Sequence, residues 1–176
     1  ALVRDAGYYE YYLGRGISYS KAGNTARAKA DLEKSNALLP TAIATNELGN
    51  LAMRSGDRSA AKEYYGQVAG SSGSQANLAK SAYIKLDLED NPAPYFGVQS
   101  EIRDNQFYST LTNKSGHGIG SLTVSFSATI NGVARQHTRT SGPLAAGVSV
   151  GIYPGWPLTA TDIVENVTVH ALKVSL

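Results

Sequence analysis

The sequence predicts an α+β protein in two domains: antiparallel helix pairs over residues 1–90, then an antiparallel β-sandwich over 91–176. Three observations predict it. The first half holds eight of the eleven tyrosines and most of the charge, and is rich in Ala, Leu, Lys and Glu, which are good helix formers. The second half is rich in Thr, Ser, Val and Gly and alternates apolar with polar residues. Between them lies LEDNPAPYF, where Pro92 and Pro94 stop a helix and favour an extended linker. The boundary is expected near Asn91.

Helices are expected over 7–22, 25–38, 42–54, 58–69 and about 75–87. The first four form two copies of one pattern. Gly16, Tyr19, Gly23, Ala28 and Leu32 recur 33 residues later as Gly49, Ala52, Gly56, Ala61 and Tyr65. In each copy a glycine falls where two helices must approach closely. An AGN or SGD turn ends the first helix, and an alanine then packs in the second. SQANLAKSAYIKLDL reads as a capping helix, with Leu78, Ala82 and Leu86 on its packing stripe and Tyr83 beside it. The tyrosines of GYYEYYLGRGISY split by helical angle. Tyr8, Tyr12 and Tyr19 are expected to pack on the second helix, Tyr9 to turn toward a groove, and Tyr11 toward solvent or a helix lying outside this chain.

In the second half, SLTVSFSATI sets Val124, Phe126, Ala128 and Ile130 on one face, the signature of a half-buried antiparallel strand. Asn131-Gly132 is a two-residue hairpin turn, because both central positions need positive φ. VARQHTRT is the returning strand. Asp104-Asn105 suggests another hairpin, between YFGVQSEIR and QFYSTLTNK. GPLAAG turns the chain into VSVGIYPG. In NVTVHALKVSL the phase of Val167 and Val169 opposes that of Leu172, Val174 and Leu176, so a bulge is expected near His170-Ala171. Six or seven short strands with regular turns suggest a sandwich.

Composition excludes several functions. The formal charge is +2 and there is no Lys/Arg tract, so nucleic acid is not an expected partner. There are no cysteines, which removes disulfides, zinc–thiolate sites and thiol nucleophiles. No apolar run approaches the ~18 residues of a membrane span. His117, His137 and His170 lack the spacing of a zinc site. GRG and SGHGIG lack the strand–glycine–lysine–helix context of a phosphate loop, and no G-x-S-x-G elbow occurs. Asn166-Val167-Thr168 matches a glycosylation sequon, a short pattern common by chance. No catalytic constellation, metal or cofactor is expected. The opening ALVRDAGYY has no initiator methionine or signal peptide, so the chain reads as a piece of a longer protein.

The repeat resembles the tetratricopeptide repeat, with period 34 and pattern W-x2-L-G-x2-Y…A-x3-F…P. Tyr12 takes the tryptophan place, Gly16 the glycine, Tyr19 the tyrosine, Ala28 the alanine, Leu32 the aromatic and Pro40 the proline. Arg15 stands in the leucine place, which Leu48 restores in the second copy, and Thr45 replaces the large aromatic there. The resemblance implies a concave face made by the first helix of each pair. It would carry Tyr9, Leu13, Ile17, Ser20 and Lys21 from one copy and Asn46, Asn50, Met53 and Arg54 from the next. Asn46 and Asn50, one turn apart, are suited to hold a peptide backbone, and Lys21 and Arg54 to attract a carboxylate.

YYLGRGISYSKAGNTARAKADLEKSNALLP further resembles the C-terminal tail of bacterial envelope zinc metallopeptidases with H-E-x-x-H catalytic domains. LTNKSGHGIGSLTVSF and GPLAAG resemble the FxLYD-type β-sandwich modules of secreted bacterial proteins. Together they imply a periplasmic, non-catalytic module that engages protein or peptide partners beside a protease. H-E-x-x-H is absent here, so zinc and proteolysis would belong to a preceding segment. The alternative is a free-standing repeat adaptor or lipoprotein of an envelope assembly such as a pilus or secretion system.

Overall fold

The computed structural model describes residues 8–176. Among them are five α-helices, then six strands in two small antiparallel sheets. The chain divides into two compact units, one ending at Leu86 and one spanning Asp87–Leu176. The expected start of the first helix, residue 7, lies outside the described residues.

The helices are α1 (Tyr9–Lys21), α2 (Thr25–Leu38), α3 (Ala42–Arg54), α4 (Arg58–Ala69) and α5 (Ser74–Asp90). The turns α1–α2 and α3–α4 are built alike. Gly23 and Gly56 take φ of 76° and 80°, the left-handed region that glycine enters without steric penalty. The next residue's N–H reaches back five positions: Asn24 to the Tyr19 carbonyl and Asp57 to the Ala52 carbonyl, both at 2.9 Å. The same two residues then cap the following helices, Asn24 accepting from the Arg27 N–H at 3.3 Å and Asp57 from the Ala60 N–H at 3.0 Å.

Within each pair the helices meet across a glycine. A Cβ on Gly16 would lie 2.9 Å from Leu32 Cγ, and one on Gly49 would lie 2.6 Å from the Tyr65 ring. Leu32 and Tyr65 are equivalent positions, and both are buried. The two departures from the repeat pattern each make a contact between helices. Arg15 forks onto Asp31 of α2, with Nε and Nη2 each 2.6 Å from a carboxylate oxygen. That contact raises the Arg15 pKa above its ordinary value. Thr45 is buried and accepts from Asn36 Nδ2 at 2.8 Å, while Asn36 Oδ1 accepts from the Thr41 N–H at 3.1 Å, tying α2 to α3.

Two helical expectations are corrected, for Tyr8 and for α5. Tyr8 does not pack on α2: it is 54% exposed, and its hydroxyl donates to Glu10. Tyr11 is half-buried and has its partner within α1. Its hydroxyl accepts from Arg15 Nη1 at 2.8 Å, the guanidinium lies 4.9 Å from its ring, and Tyr12 packs edge-on against it. The inward stripe of α5 is Ala76, Ala79, Ala82, Tyr83 and Leu86; Ala82 and Leu86 lie where expected, whereas Leu78 is 60% exposed. Alanines are needed on that face because α5 seats closely on α4; a Cβ on Gly66 would already stand 3.3 Å from Tyr83.

The second unit begins inside α5, where Leu88 joins the core of the strands and Asp87 accepts from the Tyr95 hydroxyl at 2.6 Å. Its strands are β1 (Phe96–Arg103), β2 (Gln106–Asn113), β3 (Ser121–Ile130), β4 (Val133–Ser141), β5 (Ser149–Ile152) and β6 (Val164–Ser175). One sheet has the order β1-β2-β5, the other β4-β3-β6. Asp104-Asn105 and Asn131-Gly132 close the two hairpins with positive φ at all four residues. Inner residues of both sheets form one cluster, including Phe107 and Leu111 of β2, Val124 and Phe126 of β3, and Val174 of β6. Phe107 meets Phe126 edge-to-face at 6.3 Å.

Strand β6 carries its bulge at Leu172, since Thr123 faces Lys173 while Val124 faces Ala171. The extra residue turns Leu172 outward at 52% exposed and leaves Ala171 and Val174 inside, so the expected inward set Leu172, Val174 and Leu176 reduces to Val174. A second shift lies opposite Ser127–Thr129, at Asn166 with φ 52°.

Asn113 joins the loops around the strands. Fully buried at the end of β2, it donates from Nδ2 to the carbonyls of His117 (2.8 Å), Leu144 (3.2 Å) and Ala145 (3.3 Å). Its Oδ1 accepts from the Ser115 N–H at 3.0 Å and hydroxyl at 2.7 Å. The L-x-N-x-S and G-P-L-A-A-G stretches are therefore two sides of one knot.

Three stability outcomes follow from these contacts. Gly49→Ala should destabilise by about 1–3 kcal/mol through overpacking against Tyr65. Gly14→Ala, whose Cβ meets nothing within 4 Å, should stabilise by up to ~1 kcal/mol; urea titrations followed by far-UV circular dichroism measure both. Asn113→Ala should cost roughly 2 kcal/mol or more, because several loop groups lose their partner at once, and the lowered midpoint should appear in Trp156 emission.

Candidate functional site

The helical unit carries a cavity of about 500 Å³ on the faces of α1 and α3, the first helices of the two pairs. It is lined by Ile17, Ser20 and Lys21 of α1 and by Glu47, Asn50, Met53 and Arg54 of α3. These positions lie three or four apart on their helices, so each set shares one face. Six residues expected in a groove thus come together: Ile17, Ser20, Lys21, Asn50, Met53 and Arg54.

Three others do not line it. Tyr9 is half-buried, its hydroxyl donating to Glu10 Oε1 at 3.1 Å and its carbonyl accepting from the Ser35 hydroxyl at 3.1 Å. The Glu10 contact raises the Tyr9 pKa, with lesser effects of desolvation and charge. Leu13 is partly buried against a core cluster drawn from α2 and α3. Asn46 is only 5% exposed, and its Nδ2 donates to Gln75 Oε1 at 3.0 Å and to the Gln75 carbonyl at 3.3 Å. It holds the start of α5 and is withdrawn from a ligand.

Within the cavity, two polar side chains already have partners. Asn50 Oδ1 accepts from the Tyr65 hydroxyl at 2.8 Å, and its Nδ2 donates to Glu47 Oε1 at 3.3 Å. Arg54 donates from Nη2 to the Ser20 hydroxyl and from Nη1 to the Ser20 carbonyl at 3.4 Å, bridging α3 to α1. Lys21 is exposed at the rim, and Met53 presents a flexible apolar surface at 38% exposure. The cavity therefore offers one ammonium, one thioether, the Ile17 edge and the outer sides of the Asn50–Glu47 and Arg54–Ser20 contacts. Glu47 was missed by sequence reasoning; its spacing of three from Asn50 is the signal that places it on the same face.

Burial is the first cause of the raised Tyr65 pKa, followed by the charge of Glu47, while Arg54 opposes both. Among the described residues no three His, Asp or Glu side chains gather as a metal site, and no helix is long and apolar enough to cross a membrane. No family model matches the chain, and neither a curated protein nor a solved structure matches it.

The Tyr65 shift has a defined sign. The group's folded pKa exceeds its ordinary value of about 10, so its stabilisation is full below that value and lost as pH rises through the folded value. Tyr65→Phe should lower stability at neutral pH by about 1 kcal/mol, from the lost bond to Asn50. It should also flatten the fall in stability above pH ~10, as read from urea midpoints taken across pH 7–11.

Proposed function

We propose that this chain is a non-catalytic protein-interaction module. On this reading α1–α4 are two tetratricopeptide-type repeats, α5 caps them, and the strands form a β-sandwich domain. The module is the C-terminal tail of a periplasmic zinc metallopeptidase and engages protein clients through the face of α1 and α3. The cavity lined jointly by Ile17, Lys21, Asn50, Met53 and Arg54 carries the proposal. The equivalence of the two glycine contacts and of the two glycine turns supports the repeat assignment.

The partner class follows from the chemistry of the face. An extended peptide would lay an apolar side chain against Ile17 and Met53 and bring a carboxylate or carbonyl to Lys21. The Asn50–Tyr65 and Arg54–Ser20 bonds hold the floor rigid, which reduces the ordering needed on binding.

Asn50 and Arg54 are poor positions for a test, because replacing either breaks an internal bond. Lys21→Glu with Met53→Ala changes only what the cavity presents. The double variant should keep the parent melting temperature and lose roughly tenfold in affinity for peptides selected from a random extended library. Equal affinity in a fluorescence-anisotropy titration would exclude this face as the site.

A further inference from the structure

Strand β4 is the edge of its sheet. It pairs with β3 alone, and no backbone hydrogen bond joins its other side to the described residues. Such an edge presents unpaired N–H and C=O groups to an incoming strand. The register places Val133, Arg135, His137 and Arg139 opposite Ile130, Ala128, Phe126 and Val124. Directly paired residues share a face, so this row lies on the same face as the core residues of β3, at the rim of the unit.

Two cavities flank the row. One, of about 320 Å³, is lined by Arg135 and Val133 together with Trp156, Pro157 and Asp162. The other, of about 380 Å³, is lined by Arg139 together with Tyr153. Among the described residues neither arginine pairs with a carboxylate. Arg139 makes one long hydrogen bond, Nη2 to the Pro154 carbonyl at 3.4 Å. Asp162 is not a counter-ion for Arg135: its carboxylate accepts from Asn131 Nδ2 and from the Thr159 N–H, each at 2.6 Å. Those bonds, that from the Thr159 backbone first, hold its pKa below the usual value.

Edge charges by themselves serve to discourage strand pairing between copies. That role needs no cavities and no aromatic side chains beside the cations. Here each arginine has both. We infer that the β4 edge, with Tyr153 and Trp156, is a docking groove for an extended acidic peptide segment of a partner protein. The segment adds as a strand to β4 and sets carboxylates beside Arg135 and Arg139. Same-face side chains on a strand repeat every ~6.8 Å, so a peptide with acidic residues at alternate positions keeps pace with the row. The guanidinium forks take carboxylates in paired hydrogen bonds, while Tyr153 and Trp156 receive the apolar parts of the segment. This groove lies within the second unit and is separate from the face of α1 and α3.

The chain has one tryptophan, so Trp156 emission reports on this groove directly. The full chain is titrated with a soluble ten-residue peptide alternating Glu and Thr, with its Lys–Thr counterpart, and with a short oligothymidylate. The Glu–Thr peptide should give a saturable change in emission that weakens with added salt. Arg135→Gln with Arg139→Gln should weaken it about fivefold or more, and Lys21→Glu with Met53→Ala should leave it unchanged. If the double arginine variant melts below the parent, the single Arg135→Gln variant is compared in its place. The inference is overturned by no saturable change, by equal affinity in a folded arginine variant, or by tighter binding of the Lys–Thr peptide or the oligothymidylate.

Discussion

The helical unit depends on two close approaches, Gly16 against Leu32 and Gly49 against Tyr65. At 2.9 Å and 2.6 Å there is no room for even one carbon more on either glycine. A packed interior yields little to added volume, so the glycines set how near the paired helices run. The same contact places the Tyr65 hydroxyl against Asn50, so the floor of the cavity and the packing of the pair share one side chain.

The second unit is held by a different device. Its sheets are short, three strands each, and their inner residues make a single cluster. Loops at one end are gathered by Asn113, which spends both its donor and acceptor capacity on the chain around it. A buried amide with every group satisfied contributes through specificity as well as energy, because few other arrangements satisfy it. The sheets have four edge strands, β1, β5, β4 and β6, and β4 carries Arg135 and Arg139 on its core-side face.

Much of this was legible in residue order. The glycine turns, their Asn24 and Asp57 caps, the 33-residue recurrence and the two hairpins are local, and local geometry follows from local chemistry. Legibility ended where distant residues meet. Asn46 reads as a groove residue by helical angle, yet α5 covers it and Gln75 takes its amide. Leu78 reads as core by hydrophobicity, but the stripe that fits α4 needs the small Ala76 and Ala79. Tyr11 reads as outward by angle, but Arg15, drawn inward by Asp31, brings its guanidinium over the ring.

The sequence by itself determined the helical and strand halves, the turns that need positive φ, and the pairing of glycine with a large residue one helix later. Each of these rests on backbone sterics or on periodicity, which act over a few residues. Tertiary structure alone decided which side chains of α1 and α3 line the cavity and which are consumed within it, which bulge sends Leu172 outward, and that Arg135 and Arg139 lie on the core-side face of an edge strand. Most of those outcomes depend on partners far away in the sequence, such as Tyr65 for Asn50. Hydrogen bonds and burial are satisfied by whatever the fold brings within reach, so no pattern in the order of residues carries them.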